Sequence, residues 1–331
     1  MADLNTTYLG LNLRNPVVAS SSEITNSVGG VKEVANAGAG AVVLKSLFEE
    51  QMNAELGSAG GTVYQDEARS YMLDLGKTHA PQTYLKLVSE AKRSVDIPVI
   101  ASVNCISTRW WIDYAKQIED AGADALELNI AIMPVGLDET AGEIEDRLFE
   151  IVHFVRSQVR LPLVVKIGPY HTALPQVVRN LVSIGVNGVV LFNRFYQLDI
   201  DPENLEPVPG YQFSNSLELH LPLRWVAILS SKIACDFSIS TGVHTGRDTI
   251  KSIVAGAKIV QIASVLFTQK TAHIGTMVKE LDQWLDAQGY AGVNDARGQL
   301  AKAGKHRPEE LERLQYVSAL ATASGGNRSR K

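Results

Sequence analysis

The chain has 331 residues, of which 45% are hydrophobic and 20% are charged, and its formal net charge is −5. This composition is typical of a globular protein with one large core, and it leaves no basic surplus for a nucleic-acid interface. No apolar run approaches the ~20 residues of a membrane span, and no targeting signal is recognisable at the N-terminus. Cys105 and Cys235 lie far apart without metal-ligand spacing, so we expect a cytoplasmic protein with no metal site.

One phrase recurs along the chain: a helix ends at a glycine, a short link follows, and an apolar run begins. It occurs at 37–46, 121–130, 184–193 and 255–264. Glycine suits this joint because helices commonly end at a left-handed residue, a conformation that glycine adopts without steric cost. Each occurrence therefore predicts the passage from a helix to a strand.

A second set of apolar runs opens after a proline or a polar break, and it interleaves with the first set. Both sets are almost continuously apolar, as expected for a parallel sheet that is covered on both faces. Amphipathic stretches with a helical period fill the gaps. The strands are predicted near 16–20, 41–46, 98–103, 125–130, 162–168, 188–193, 236–242 and 259–264, and the helices near 30–37, 82–94, 109–121, 141–158, 174–184, 221–233, 246–255 and 270–287.

Eight strands close a (β/α)8 barrel, so the predicted fold class is an α/β TIM barrel. An open, doubly wound sheet would show the same alternation, but the strand count and the lack of an early GxGxxG motif favour the barrel. Two insertions, 47–81 and 194–220, follow strand ends where barrels build active sites, and they are interpreted as walls or lids; dimer contacts or decorative loops are the alternative. The barrel is expected to span 1–300, followed by an extension, 301–331, with one short helix and a disordered tail.

Polar residues end each predicted strand, a pattern that a purely structural barrel does not need. Lys45 and Lys166 are the informative pair, because burying a lysine is costly unless it meets an anion or hydrogen-bond partners. An ion pair with a barrel carboxylate such as Glu127 would explain either lysine alone, and amides that bind loop backbone would explain Asn129 and Asn193. Together they predict an anionic or electron-rich ligand. The strand-end residues are Ser20, Lys45, Ser46, Asn104, Asn129, Lys166, Asn193, Thr241, Gly242 and Ser264.

The last two predicted strands have the features of a phosphate site. Thr241 and Gly242 lead into the helix predicted at 246–255, and Ala263 and Ser264 lead into another segment. Small residues let backbone N–H groups approach phosphate oxygens, and a helix N-terminus supplies partial positive charge. Phosphate-binding barrels with different chemistries share this pattern.

These residues resemble the dihydroorotate dehydrogenase and dihydropyrimidine dehydrogenase family of barrels that bind flavin mononucleotide (FMN). The resemblance runs from about residue 5 to about residue 300, and the order and spacing of its phrases together are highly specific. It implies hydride transfer to FMN from a CH–CH group of a small, pyrimidine-like substrate. The phrases are LNTTYLGLNLRNPVVAS, GAVVLKS, IPVIASV, DAGADALELN, PLVVKIGPY, STGVHTGRD, AGAKIVQIAS and GYAGVNDARGQL.

The resemblance also implies roles for single residues. Lys45, Asn129 and Asn193 would take part in catalysis, with Asn193 facing both substrate and flavin. Lys166 would stabilise negative charge on the reduced ring, because a fixed cation favours anionic reduced states. The implied FMN-binding set is Ala19 and Ser20 along the ring, Lys45 and Ser46 at its pyrimidine edge, Asn104, Asn129, Lys166 and Asn193 around it, and Thr241, Gly242, Ala263 and Ser264 at the phosphate.

The sequence departs from the family where the substrate would be bound. The family's fourth strand leads into Asn-Leu-Ser-Cys-Pro-Asn, in which Cys or Ser is the base; here Ile132, which cannot accept a proton, stands at that position. The family's substrate loop and the paired glycines before its seventh helix are also not recognisable. We therefore expect a retained cofactor and a changed substrate. Other candidates for the base are His79, Cys105, Ser107, Tyr170 and His171.

Three functions fit these observations. The leading one is an FMN-dependent dehydrogenase that passes its electrons to a separate acceptor, since the chain has no dinucleotide fingerprint and no iron–sulfur cysteine cluster. The alternatives are a lyase or aldolase, in which Lys45 or Lys166 forms a Schiff base with a phosphorylated substrate, and a flavin-binding subunit without turnover. A homodimer is expected because family members of this size commonly pair.

Overall fold

Eight short parallel strands form the centre of the molecule, each following a glycine joint, a proline or a polar break as predicted. The computed structural model describes residues 2–49, 81–105, 111–194, 198–208 and 212–302, together with Val317. The full set of strands in the described residues is β1 Thr6–Tyr8, β2 Leu11–Leu13, β3 Val17–Ala19, β4 Ala41–Val43, β5 Leu47–Phe48, β6 Val99–Cys105, β7 Ala125–Ile130, β8 Leu163–Ile167, β9 Gly188–Leu191, β10 Asp199–Asp201, β11 Glu206–Val208, β12 Asp236–Ser240 and β13 Ile259–Ile262. The eight central strands are β3, β4, β6, β7, β8, β9, β12 and β13 of this set.

The sheet closes on itself. β3 pairs with β13 on one side and with β4 on the other, and β4 pairs with β6. The other barrel strands pair in parallel from β6 through β7, β8, β9 and β12 to β13. The predicted (β/α)8 barrel is confirmed.

The helices surround this barrel, and glycine ends several of them at the predicted joints. Gly185 ends its helix with φ of 100°, and its N–H donates to the carbonyls of Leu181 and Val182. The helix His220–Leu229 ends four residues earlier than predicted, because residues 230–233 form a turn in which the Ser230 hydroxyl donates to the Ala255 carbonyl. The helices are α1 Val28–Asn36, α2 Pro81–Ser94, α3 Trp111–Asp120, α4 Ala141–Gln158, α5 Leu174–Ile184, α6 His220–Leu229, α7 Gly246–Ala255, α8 Ser264–Gln269, α9 His273–Gln288, α10 Val293–Ala296 and α11 Gln299–Lys302.

An N-terminal hairpin, β1 and β2, closes one end of the barrel, and the sequence analysis missed it. Tyr8, Leu9 and Leu13 of this hairpin are buried in a cluster with the interior side chains at the amino ends of the strands. The hairpin turns tightly at Leu9 and Gly10, both of which have positive φ. Because one end is plugged by apolar side chains, the opening that remains is at the carboxyl ends of the strands.

Strand alternation divides the barrel interior into an apolar half and a polar half. Val164 on β8 and Ile259 on β13 pack in the apolar cluster beneath the hairpin. Two residues further along the same strands, and therefore on the same face, are the buried Lys166 and Gln261. The upper half of the interior is therefore built from polar side chains.

The insertion at 194–220 contains the hairpin of β10 and β11 and a 3-10 turn, Ser216–Leu219. Most of the other predicted insertion, 50–80, and residues 195–197 and 209–211 lie outside the described residues, as does the extension beyond 302 except for Val317. Among the described helices, none combines the length and the apolar character needed to cross a membrane.

Candidate functional site

A polar cavity of about 130 Å³ lies at the carboxyl ends of the strands. It brings together residues from β3, β8, β12 and β13 and from the insertion that follows β9. Polar lining on one side and backbone of small residues on the other make it suited to an anionic ligand. Its lining residues are Ser20, Ser21, Lys166, Asn193, Arg194, Ser214, Ser240, Thr241, Gly242, Val243, Gln261, Ile262, Ala263 and Ser264.

Lys166 is the buried cation of this cavity. Its side chain points into the barrel, and the residue is only 7% exposed. Nζ lies 3.4 Å from Oγ of Ser20, at the long end of hydrogen bonding. Burial lowers the pKa of Lys166 below its ordinary value, and the negative charge of Glu127 opposes that shift. A single buried ammonium group therefore faces the cavity, as the sequence predicts for this lysine.

Two asparagines lie beside Lys166 at the same level of the barrel. Asn129 is the register partner of Lys166 on one side and of Asn104 on the other. The side-chain oxygen Oδ1 of Asn129 is buried and has no hydrogen-bond partner among the described residues. A buried carbonyl without a donor is costly, so this oxygen is available to a ligand that donates a hydrogen bond.

Lys45 does not match the expectation of a second buried lysine. Its side chain is 28% exposed, and Nζ lies 2.8 Å from a carboxylate oxygen of Glu23, in the turn after β3. Nζ also lies 5.6 Å from the centre of the Phe48 ring. The two lysines thus have different carboxylate partners. Lys45 forms an ion pair with Glu23 at the barrel rim, whereas Lys166 interacts electrostatically with the buried Glu127. The prediction that both are buried together is wrong.

Ser46 and Ala19 show how strand direction selects between neighbouring residues. Ser46 is buried, and its hydroxyl lies 2.8 Å from the Ser102 hydroxyl and 3.0 Å from that of Ser21. Ala19 packs in the outer cluster between the sheet and the helices, so its side chain points away from the interior that Ser20 faces. If Ala19 contacts a ring in the barrel mouth, it does so through its backbone.

The far end of the cavity is formed by the residues predicted to hold a phosphate. Thr241 and Gly242 both have φ of 78°, a strained conformation for threonine, and the Thr241 hydroxyl donates to the Phe192 carbonyl. Ser264 accepts a hydrogen bond from the backbone N–H of Ser214, at 3.1 Å. Thr241, Gly242, Ala263 and Ser264 all line one cavity with Asn193.

The helix that follows Gly242 does not contribute its N-terminus as expected. The carboxylate of Asp248 accepts hydrogen bonds from the N–H groups of His244 and Thr245, and Glu280 accepts one from Gly246 at 2.7 Å. Because the chain's own carboxylates already occupy the start of α7, an anion is not held there. The start of α7 therefore does not match the prediction, and this end of the cavity is lined by strand-end residues and by Ser264 at the start of α8.

A second, mostly apolar cavity of about 240 Å³ lies beside Ile132. Ile130 and Ile167, which line it, follow the inward-facing Asn129 and Lys166 on their strands and therefore point to the other side of the barrel wall. His171 and Glu145 are its titratable groups together with the exposed Tyr170. Burial lowers the pKa of His171, and Glu145 opposes the shift.

The structure tests only some of the alternative bases. His171 and Tyr170 share the second cavity with Ile132. His79 and Ser107 lie outside the described residues, and of Cys105 only the backbone, at the end of β6, is described. Nowhere in the described part of the chain do three His, Cys, Asp or Glu side chains group as a metal site would require.

Gln261, Arg194 and Ser214 line the polar cavity and were missed by sequence reasoning. Gln261 is a polar residue inside an otherwise apolar strand, IVQI, which is a usable signal for an inward-facing functional group. Arg194 follows Asn193 directly, and its Nε lies 2.7 Å from Glu218. Ser214 lies in an insertion whose path the sequence pattern does not predict.

The family model for dihydroorotate dehydrogenase matches residues 3–285 of the chain. The chain belongs to this family. The match covers the whole described barrel and confirms the resemblance seen in the sequence phrases. Family membership makes the protein a relative of dehydrogenases, and the cavity around Lys166 is placed where barrel enzymes carry their active sites.

Three curated relatives illustrate the range of the family. The catalytic subunit of dihydroorotate dehydrogenase B (NAD(+)) from Thermoplasma acidophilum is 25% identical over 303 residues, which is 90% of this chain and 99% of that protein. Chloroplastic dihydropyrimidine dehydrogenase (NADP(+)) from Arabidopsis thaliana is 24% identical, over 89% of this chain and 76% of that protein. Dihydroorotate dehydrogenase A (fumarate) from Lactobacillus helveticus is 26% identical, over 65% and 71%.

Proposed function

We propose that this family member is an FMN-dependent dehydrogenase that oxidises a CH–CH group of a small, pyrimidine-like substrate. The observation that carries the proposal is the buried ammonium group of Lys166, which shares one cavity with the small strand-end residues Thr241, Gly242 and Ser264. A nucleotide that is electron-accepting at one end and anionic at the other matches both features.

The residues present fit FMN. Asn129 offers a buried carbonyl oxygen without a donor, and a flavin ring carries an N–H group that can supply one. Lys166 can donate to acceptor atoms of the ring, and the backbone of the strand ends beside Gly242 can donate to a phosphate. FMN, when bound, supplies the hydride acceptor for the reaction.

Lys166 is proposed to stabilise negative charge that develops at the ring edge. A positive charge fixed in a poorly solvated site acts more strongly than one in water, and no reorganisation is needed when the reaction occurs. Lys45, Ser46, Asn104 and Asn193 complete the proposed binding set, with Lys45, Asn129 and Asn193 nearest to the chemistry. Ala19 would contribute backbone contacts along the ring.

The substrate proposal differs from dihydroorotate itself in one respect. Ile132 stands where the family has its base, so the proton that leaves the substrate together with the hydride needs another acceptor. We propose His171 as the acceptor for a substrate bound at the rim above β7 and β8, because it lines the cavity beside Ile132 on the outer side of the barrel wall and its lowered pKa keeps the imidazole neutral near pH 7. A neutral imidazole can take up a proton, whereas an imidazolium cannot.

The electron acceptor, the oligomeric state and the location also belong to the proposal. The archaeal relative is named as a catalytic subunit, which supports a separate chain or a small molecule as the electron acceptor here. A homodimer is proposed from the family resemblance, and a cytoplasmic location from the two widely spaced cysteines. No nucleic acid or membrane is required for the proposed reaction.

A Schiff-base lyase is a second candidate, because a buried lysine with a lowered pKa is also what such chemistry uses. Reduction with borohydride in the presence of phosphorylated aldehydes or ketones discriminates the two. A mass increase on Lys166 would support the lyase. The third alternative is a flavin-binding subunit without turnover. Its flavin could be photoreduced, but no tested acceptor would reoxidise it.

The decisive experiment is the visible spectrum of the purified protein, followed by the mass of any compound that acid releases. We expect a flavin spectrum and the mass of FMN, and a Lys166→Met variant that binds FMN more weakly. Lys258→Met is the matched control, since Lys258 precedes β13 at the opposite end of the strands and pairs with Asp236. Colourless protein that FMN cannot reconstitute would refute the proposal.

A further inference from the structure

Four buried polar side chains form a chain of hydrogen bonds inside the barrel. Nζ of Lys166 donates to Oγ of Ser20 at 3.4 Å, and Ser20 donates to Oε1 of Gln261 at 3.1 Å. Nε2 of Gln261 donates in turn to Oε2 of Glu127 at 2.6 Å. None of the four residues is more than 7% exposed. The hydrogen bonds all point in one direction, from the ammonium group to the carboxylate.

Glu127 is the residue at the closed end of this chain. It is fully buried, and its second oxygen, Oε1, has no hydrogen-bond partner among the described residues. A buried carboxylate is costly unless a positive charge and hydrogen-bond donors compensate for it, and removing one partner of a buried pair leaves the other uncompensated. Lys166 supplies the positive charge, across Gln261 and Ser20 and without direct contact.

The two linking residues leave little freedom in this arrangement. Because Glu127 requires a donor, the amide of Gln261 must turn its nitrogen to Glu127 and its oxygen to Ser20. Ser20 has one hydroxyl proton and directs it to Gln261, which leaves its lone pairs for Lys166. The orientation of Lys166 at the cavity wall thus depends on a carboxylate two side chains away.

We propose that Glu127 is a positioning residue: acting through Gln261 and Ser20, its carboxylate keeps Lys166 charged and holds the ammonium group against the cofactor cavity. This coupling between Glu127 and Lys166 exists in the protein without any bound cofactor. Only its consequence for a bound flavin rests on the proposed function: Glu127 offsets part of the positive charge of Lys166 and so makes the reduction potential of FMN more negative than a lone lysine would.

The other titratable groups around Glu127 and Lys166 do not obscure this coupling in a titration near neutral pH. Among the described residues, Glu127 is the charged group that acts on Lys166. Tyr84 and Tyr8 face Glu127 from α2 and from the N-terminal hairpin, and burial, with Glu127 adding to it, raises the pKa of both phenols far above neutrality. Asp236 acts on Tyr8 from the start of β12, at the other end of the barrel.

The test compares Glu127→Gln with Glu127→Asp in flavin-free protein, by NMR of the lysine side chains; a Lys166→Met sample assigns the Lys166 signal. Glutamine keeps the shape of Glu127 and removes its charge, whereas aspartate keeps the charge and loses a methylene group. We expect the proton affinity of Lys166 to fall at least about tenfold in Glu127→Gln and much less in Glu127→Asp. A role in packing alone predicts the opposite order, so that order overturns the proposal.

Three further measurements complete the test. Gln261→Met interrupts the hydrogen bonds that link Glu127 to Lys166 and is expected to lower the proton affinity of Lys166 in the same direction as Glu127→Gln. Ser238→Ala, at a buried serine outside the chain of hydrogen bonds, is expected to change nothing. In protein reconstituted with FMN, Glu127→Gln should shift the flavin potential to more positive values while Lys166 is charged.

Two results would refute the coupling whatever the fate of the proposed function. One is an unchanged Lys166 titration in Glu127→Gln. The other needs no variant: a carbonyl infrared band that assigns a protonated Glu127 to the native protein at neutral pH. If the chain does not bind FMN, the potential measurement fails but the lysine titration still decides.

Discussion

Asn129 and Lys166 are register partners on neighbouring strands, β7 and β8, and both point into the barrel mouth. One side chain offers a buried oxygen without a donor and the other a buried ammonium group. A single planar ligand edge with alternating donor and acceptor atoms can satisfy both at once. This complementarity explains why two costly side chains lie side by side at the end of apolar strands.

Replacement of Asn129 by leucine should not destabilise the flavin-free protein but should weaken the binding of FMN. In flavin-free protein the change removes an unpartnered oxygen that costs about 1–3 kcal/mol, so the melting temperature should rise or stay level. In the presence of FMN the variant should bind at least about tenfold more weakly, because a hydrogen bond to the ligand is lost. Calorimetry with and without FMN measures both. A variant that is less stable without FMN would contradict this account of Asn129.

Gly242 should be far less tolerant of a side chain than Gly10, although both have φ of +78°. Gly10→Ala meets no atom within 4 Å and should cost about 1–2 kcal/mol, the strain of a left-handed alanine. A Cβ at Gly242 would lie 2.2 Å from the backbone nitrogen of Leu219, so Gly242→Ala should cost about 1–3 kcal/mol more. Urea unfolding of the two variants compares them, and equal midpoints would show that the close contact relaxes at no cost.

Introducing the base of the family should create activity toward dihydroorotate. Ile132→Cys places a thiol where the chain has an alkyl group, and a positioned general base is worth about 10²–10⁴-fold in rate. We expect anaerobic bleaching of the flavin by dihydroorotate to accelerate by about 10²-fold and to rise with pH towards the thiol pKa of about 8.5. Ile132→Ala controls for the added space. Equal rates in the alanine and cysteine variants would rule out base catalysis at this position.

If His171 accepts the proton, flavin reduction by dihydropyrimidine donors should depend on its protonation. Burial lowers the pKa of His171 below its ordinary value of 6.5, so the neutral, active form persists at neutral pH. The rate should be constant near pH 7 and fall as the pH drops through the lowered pKa. His171→Asn should lose about 10²-fold in rate together with this acid limb. His153→Asn, at an exposed position on α4, serves as the control, and an acid limb that persists in His171→Asn would exclude the role.

The barrel, and several of the residues that line the cavity at its carboxyl face, could be predicted from local sequence signals. Glycine joints and apolar runs report helix ends and strands without reference to distant residues, so eight strands and their order were readable. Polar residues at the carboxyl end of a strand or just after it, such as Asn129, Lys166 and Thr241, can also be recognised, because the carboxyl ends of all strands meet at one face of a closed barrel.

Other features were decided by tertiary structure, since they depend on contacts between residues far apart in the chain. Ser20 meets Gln261 across 241 positions only because β13 pairs with β3 when the barrel closes. Glu280 occupies the start of α7 because α9 packs against it, and no local pattern indicates that. Strand alternation and the position of Glu23 decide that Lys166 is buried while Lys45 lies at the rim. The sequence alone determined the fold and the face that carries the site; packing determined which charges are buried there and what compensates them, because the free energy of a buried charge depends on its neighbours in space.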